Sequence, residues 1–426
     1  MRKLQSFEIL LPLAATAGAY ARTTLNPLQE SMRTALSFSD GQMALLQGPA
    51  MALPLILLSV PLGMLVDRRS RVRLLFLLVV LGMAGSLLTA AVSDFTSLFI
   101  VRCFVGLAAF AVNPVVLSLI GDFHPPAWRG RATMAMAIGQ FVGMSAAFAL
   151  GGALLTNFGV GPAAWRWTLV TLTAPLLPIA LLLLVLREPA RTGVVLQDPP
   201  LRQTWVELWS YRFAVVPLLI GLLMLEVGIG AVLVWIAPVF TRDFHMASDR
   251  IGSIVAIGLA VSGVVGPVIG GFLADAGHRA GGPRRTMSLL AGLALLSVPI
   301  GAFAVAPGII TASALLVAFM TLIGAMVVMG TALFTVVIPG ELRGLCMSML
   351  AAACVLFGTG IAPLTVSSMS GVLGGPSAIG RALAVVCVGS GIIASAVFWM
   401  GRRRVGAHEH LRSVAARLPL TDRNAS

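Results

Sequence analysis

Twelve apolar stretches, most of them at or above the ~20 residues that cross a ~30 Å hydrocarbon core, leave this chain few architectures to choose from. A bilayer offers the backbone no water, so a spanning segment must satisfy its own N–H and C=O groups, and stretches of this length do so as α-helices. The spans expected are 8–28, 42–66, 73–92, 96–121, 131–157 and 166–187, then 212–240, 249–275, 286–306, 309–338, 344–371 and 378–400. Composition agrees. Of 426 residues 58% are hydrophobic and 11% charged, with a mean hydropathy of +0.97, where a soluble domain carries about 25% charged residues. The fold class expected is an all-α membrane protein. Residues 1–21 imitate a secretory signal, but cleavage there would destroy the first span, so an uncleaved helix is expected.

The net charge of +13 would point to nucleic acid if the basic residues formed one patch, so their placement decides what they mean. With both termini cytoplasmic, 22 of the 29 basic residues fall on the inner side and five (Arg33, Arg166, Arg242, Arg250 and Arg381) on the outer side. That asymmetry is the positive-inside signal of a membrane topology, and no nucleic-acid partner is expected. Cys103, Cys346, Cys354 and Cys387 all lie in spans, without metal-ligand spacing, and read as packing residues.

A short charged loop occurs twice. Gly63-Met64-Leu65-Val66-Asp67 is followed by Arg68, Arg69, Arg71 and Arg73, and Gly271-Phe272-Leu273-Ala274-Asp275 by Arg279, Arg284 and Arg285, at an offset of 208 residues. Arg129-Gly130-Arg131 before span 5 recurs as Arg343-Gly344 before span 11 at an offset of 214. Two landmarks at nearly constant separation indicate duplication of a six-span unit. The organisation expected is a six-helix bundle over 1–187, a linker over 188–211, a second bundle over 212–400 and a basic tail over 401–426.

The loop Gly63-x-Leu65-x-Asp67-Arg68-Arg69-x-Arg71 resembles the signature between spans 2 and 3 of the major facilitator superfamily, and the resemblance covers essentially the whole chain. It implies twelve transmembrane helices in two six-helix bundles, a monomer, and a substrate site at the midplane about which the halves rock. It also implies a conformational latch in which Asp67 meets the start of span 11 near Arg343, and Asp275 meets the start of span 5 near Arg129 and Arg131. Glycine at 63 removes a side chain where helices approach, and a carboxylate suits a helix N-terminus. The rival reading of these charges, Arg68 and Arg71 included, is that they only fix topology.

Ionisable residues inside spans are costly and are functional candidates by default. Arg22 lies about six residues from the outer end of span 1, Arg102 about six from the outer end of span 4, and Glu226 near the centre of span 7, opposite Tyr20 by the repeat offset. In the superfamily spans 1, 4, 7 and 10 line the cavity, so the resemblance would bring the three together. Two arginines against one carboxylate leave such a cavity positive, and guanidinium binds carboxylate or phosphate bidentately. Asn113, ahead of Pro114 in span 4, and Trp235 in span 7 are further lining candidates. The alternative is that the arginines are satisfied by Glu226 and helix carbonyls and only stiffen the bundle.

Within the superfamily, Ser39-Asp40-x-Gln42, Leu45-Leu46-x-Gly48-Pro49-Ala50, Arg102-x-x-x-Gly106 and Pro114-x-x-x-Ser118-Leu119-Ile120-x-Asp122 resemble the spinster group of lysolipid and sphingolipid transporters. Two acids usual in that group are replaced by Ala21 and Ala109. The function expected is secondary transport of an organic anion or an amphipathic, lysolipid-like phosphate or carboxylate, with a drug or small-metabolite exporter as one alternative and a non-transporting receptor as another. The protein is expected in a bacterial inner membrane, with small-molecule or lipid-like substrate and membrane lipid as partners. The five histidines (124, 245, 278, 408 and 410) all lie away from span centres, and there is no phosphate-binding loop. Neither an enzyme nor a cofactor is therefore expected.

Overall fold

The computed structural model describes residues 2–159, 161–189, 211–338 and 340–417, and among these it is helical without strands. Ten stretches are long and apolar enough to cross a bilayer. One of them, Ser248–Val305, is 58 residues long and contains both span 8 and span 9. Its helix Ser248–Ile300 breaks at Gly281 and Gly282, the latter at φ 61° and ψ −156°, a backbone that is essentially glycine's alone. Pro283 then restarts the helix with its φ preset. The remaining span is the helix Arg2–Thr23, whose apolar run is diluted by Arg2, Lys3 and Glu8.

The twelve spans form two six-helix bundles. One core is drawn from residues between Leu10 and Leu186, the other mainly from residues between Ala214 and Phe398. Large apolar side chains cover the exterior, with Ile310 84% and Phe272 72% exposed. Such a surface would be an aggregation hazard in water, and in a bilayer it meets hydrocarbon.

Several spans depart from the simple rods that hydropathy predicts. Span 1 ends as an α-helix at Thr23 and continues through a 3₁₀ turn, Asn26–Leu28, into Gln29–Leu36. Pro27 supplies no N–H to continue the α-helical ladder at this point. Span 2 opens two residues earlier than expected, at Asp40, because Ser39 Oγ accepts from the Gln42 N–H and Gln42 Oε1 accepts from the Ser39 N–H, a reciprocal cap. It then breaks at Gly48 (φ −100°, ψ −98°) and resumes as Pro49–Arg68. Span 11 consists of Gly340–Cys354, a π-helical stretch Val355–Ile361, and Ala362–Leu373. Span 12 belongs to a helix running from Ile379 to Arg417, past the expected boundary at 400. Residues 190–210 of the expected linker, residues 418–426 of the tail and the side chain of Asp67 lie outside the described residues.

The halves touch along two seams at the end opposite the repeated charged loops. Span 5 lies against span 8 so closely that a side chain at Gly152 would strike the Ser248 carbonyl, and one at Gly252 the Phe148 carbonyl. In the other seam, span 2 against span 11, a Cβ at Gly48 would stand 2.8 Å from the Gly360 carbonyl oxygen. Close approach of this kind between the halves is not found at the described glycines of the arginine-rich end. Nothing lies within 4 Å of a Cβ built at Gly63 or Gly344. The first segment of span 11 packs mainly on span 7 and its own continuation.

Candidate functional site

A cavity of about 130 Å³ lies between the halves, lined from the first by Arg22, Asn26, Gln47, Phe110 and Met144 and from the second by Glu226, Leu233, Gly358 and Thr359. Backbone breaks place much of this lining. Arg22 is in the last turn before the helix of span 1 gives way, Gln47 directly precedes the Gly48 break, and Gly358 and Thr359 are in the π-helical stretch. Irregular backbone at membrane depth is tolerated where it lines a cavity, and π-bulges recur at functional sites.

Arg22 sits over the Phe110 ring at 5.1 Å and its Nη2 donates to Met144 Sδ at 3.6 Å. Glu226 shares the cavity but forms no ion pair within 4.0 Å among the described residues. It packs against Gly358, whose Cβ would stand 3.2 Å from Glu226 Oε2. The cation and the carboxylate therefore flank one space without cancelling each other by contact.

Arg102 is one layer deeper, 1% exposed. Its Nη2 reaches Gln47 Oε1 at 3.5 Å, its Nε has no partner, and it enters none of the ion pairs among the described residues. Gln47 Nε2 in turn donates to Gln29 Oε1 at 2.8 Å. Gln47 thus stands between the buried arginine and the cavity, and hydropathy gave no sign of it: a glutamine inside an apolar run is uncharged and changes a window average little.

The other candidates are placed elsewhere. Tyr20 Oη donates to the Leu172 carbonyl at 2.7 Å, tying span 1 to span 6. Asn113 Nδ2 donates to Gln140 Oε1 at 3.3 Å, joining spans 4 and 5. Trp235 is fully buried, and its Nε1 donates to the Pro363 carbonyl at 3.0 Å, joining spans 7 and 11. All three are engaged by helix packing and absent from the cavity lining.

Among the described residues, none of the expected latch residues enters an ion pair across the halves. Arg71 pairs with Asp122 and, at 3.0 Å, with Glu188, so it binds span 3 to the ends of spans 4 and 6 within its own half. Burial raises the Glu188 carboxyl, but hydrogen bonds from the Val72 N–H, Ser70 and Arg71 outweigh it and hold Glu188 below its usual range. Arg129 donates to the carbonyls of His124 and Gly121, closing the end of span 4, and Arg131 lies over the Trp128 ring at 4.7 Å. Arg68, Asp275 and Arg343 are exposed.

At the opposite end a charge cluster does cross the halves, which sequence reasoning had treated only as loop charges. Arg242, ending span 7, donates to Glu30 Oε2 at 2.7 Å and to Asp40 Oδ1 at 2.8 Å, and Arg33 donates to Glu30 Oε1 at 2.8 Å. Burial raises Glu30, while hydrogen bonds from Arg33 and Arg242 more than offset it and hold its carboxyl low. The only sequence signal was the Glu30-x-x-Arg33 spacing, which puts the two on one helix face.

Residues 13–239 match the model of the Major Facilitator Superfamily. The 3-(3-hydroxy-phenyl)propionate transporter of Escherichia coli K12 is 27% identical over 286 residues, 58% of this chain and 66% of the relative, so just under two thirds of that protein's length is covered. Among solved structures, a bacterial homologue of the human lysosomal transporter Spinster, in an inward-facing and occupied conformation, aligns with TM-score 0.75 at 22% identity over 100% of this chain and 99% of the other. The nucleoside transporter NupG aligns with TM-score 0.70 at 14% identity over 94% and 99%, and a D-xylose-proton symporter with 0.67 at 17% over 93% and 97%. A sequence match over half the chain, together with twelve spans in two bundles, establishes that this integral membrane protein belongs to the major facilitator superfamily.

Proposed function

We propose that this transporter carries an amphipathic organic anion, bearing a carboxylate or phosphate, through the cavity between its halves by alternating access. The observation that carries this reading is the charge imbalance around the cavity: Arg22 at its wall and Arg102 behind Gln47, against the single carboxylate of Glu226. An anion would supply the missing charge in a low-dielectric setting, where guanidinium binding is strong. Phe110 and Met144 beside Arg22 offer an apolar, polarizable surface for the rest of the molecule. The curated relative is named for an aromatic carboxylate, which favours a carboxylate as the charged group. The basic end is read as cytoplasmic from the distribution of arginines, so the state described here faces inward, with the Arg242 cluster closing the outer end. Protein stabilisation by matched ligands tests the reading. Carboxylates such as 3-phenylpropionate are expected to raise the melting temperature while their neutral amides do not, with the effect abolished in Arg22→Ala. Equal stabilisation by the amides would contradict it.

A further inference from the structure

Resting on the anion reading above, we infer that Gln47 is a displaceable placeholder: its side-chain carbonyl occupies Arg102 when the site is empty, and an entering anion takes its place. Arg102 is 1% exposed and carries its charge away from water, an unfavourable situation without a counter-charge. One contact at 3.5 Å, at the limit of hydrogen-bond geometry, offsets little of it. The same cluster contains two side-chain nitrogens without partners, Arg102 Nε and Gln29 Nε2. Both are donors, and Gln29 is 0% exposed. A cluster short of acceptors and rich in positive charge is suited to an anion and not to a cation or a neutral amide. Gln47 holds the position such a ligand would need. It accepts from Arg102, donates to Gln29, and is itself part of the cavity wall.

The backbone leaves Gln47 free to leave. It is the last residue of Asp40–Gln47, and the helix is broken immediately after it at Gly48, followed by Pro49, which has no N–H. Once Gln47 turns away, a carboxylate or phosphate oxygen pair can take Nε and Nη2 of Arg102 together, in the bidentate geometry that a single amide oxygen cannot match. Gln29 Nε2 lies within the same cluster as a third donor. Gly48 is also the point where span 2 touches Gly360 of span 11, so displacement of Gln47 acts directly beside the seam between the halves.

Uptake by the full chain in proteoliposomes tests this, using 3-phenylpropionate, decanoate and lysophosphatidate, with the amides of the two carboxylates and a neutral monoacylglycerol as uncharged counterparts. In Gln47→Glu the placeholder becomes a permanent counter-ion for Arg102. Anion uptake is expected to fall at least about tenfold, the cost of one lost charge-assisted hydrogen bond, while the melting temperature rises. In Gln47→Ala nothing covers Arg102, and anion preference is expected to persist with a KM several-fold lower. A side chain needed only for packing would impair both variants alike. Unchanged anion uptake in Gln47→Glu, or equal loss of uptake in both variants at a preserved melting temperature, would overturn the placeholder role. A parent protein without preference for the anions over their neutral counterparts would instead remove the anion reading itself.

Discussion

At the residue scale, a span can retain an arginine when something nearby shares its cost. Arg22 has a ring face and a sulfur within reach and a carboxylate across the cavity, whereas Arg102 has a single long contact to Gln47. The two arginines therefore fail differently when removed. Arg22→Ala is expected to lower anion uptake about tenfold to a hundredfold, from the ~1.5–3 kcal/mol of a charge-assisted hydrogen bond, with little change in melting temperature. Arg102→Met removes an uncompensated buried charge while keeping volume. It is expected to abolish anion uptake and to raise the melting temperature, because apolar replacement of poorly paired buried charge is often stabilising. Differential scanning fluorimetry beside uptake separates the two outcomes, and a fall in melting temperature for Arg102→Met would show that the arginine is structural.

At the element scale, the ends of the spans carry two charge clusters with distinct consequences. The Arg242 cluster joins spans 1 and 2 to span 7 across the halves. Arg242→Gln removes the cation that ties Glu30 and Asp40 to span 7, leaving them only Arg33 of their own half. After allowance for partial exposure, the loss is about 1–2 kcal/mol, a shift of roughly tenfold toward states parted at that end. Spin labels at Thr34 and Ser377, both exposed, are expected to report a longer-distance population in the variant and not in the parent. The Glu30 carboxyl is held below its usual value, so its contribution is fully present above the ordinary glutamate pKa of about 4.3 and is lost as pH falls below that through the depressed value. The same labels should therefore show a closed outer end from pH 8 to about pH 5, opening only in stronger acid. The Arg71 cluster lies within one half. Arg71→Ala is expected to lower the melting temperature by several degrees through loss of the Asp122 and Glu188 pairs, without the altered label distance that Arg242→Gln produces.

At the scale of the whole molecule, length and apolarity made the twelve spans legible, because crossing a bilayer leaves a segment little choice. The repeat showed itself in Asp67 and Asp275 at constant offset. Arg22 and Glu226 line one cavity, whereas Arg102, which the resemblance would place beside them, lies behind Gln47. What the pattern could not convey was direction and state. Tyr20 and Trp235 lie on the expected spans but turn their polar atoms to the carbonyls of Leu172 and Pro363, since hydropathy does not say which face of a helix meets which neighbour. No neighbour lies within 4 Å of a Cβ at Gly63, and Arg343 is exposed; a sequence does not record which of its conformations is populated. Gln47 went unseen because its importance comes from the Gly48 break and from Arg102, two helices that meet only in three dimensions.

On the proposed mechanism an anion crosses between the halves because Arg22 at the cavity wall and Arg102 behind Gln47 outweigh the single carboxylate of Glu226. Flux into proteoliposomes of 3-phenylpropionate, decanoate and lysophosphatidate against their uncharged counterparts, for the parent and for Arg22→Ala, tests it most directly. Saturable uptake of at least one of the anions, absent for the neutral partners and lost in the variant, is predicted. Uptake of the neutral partners at equal rate, indifferent to Arg22, would contradict the claim.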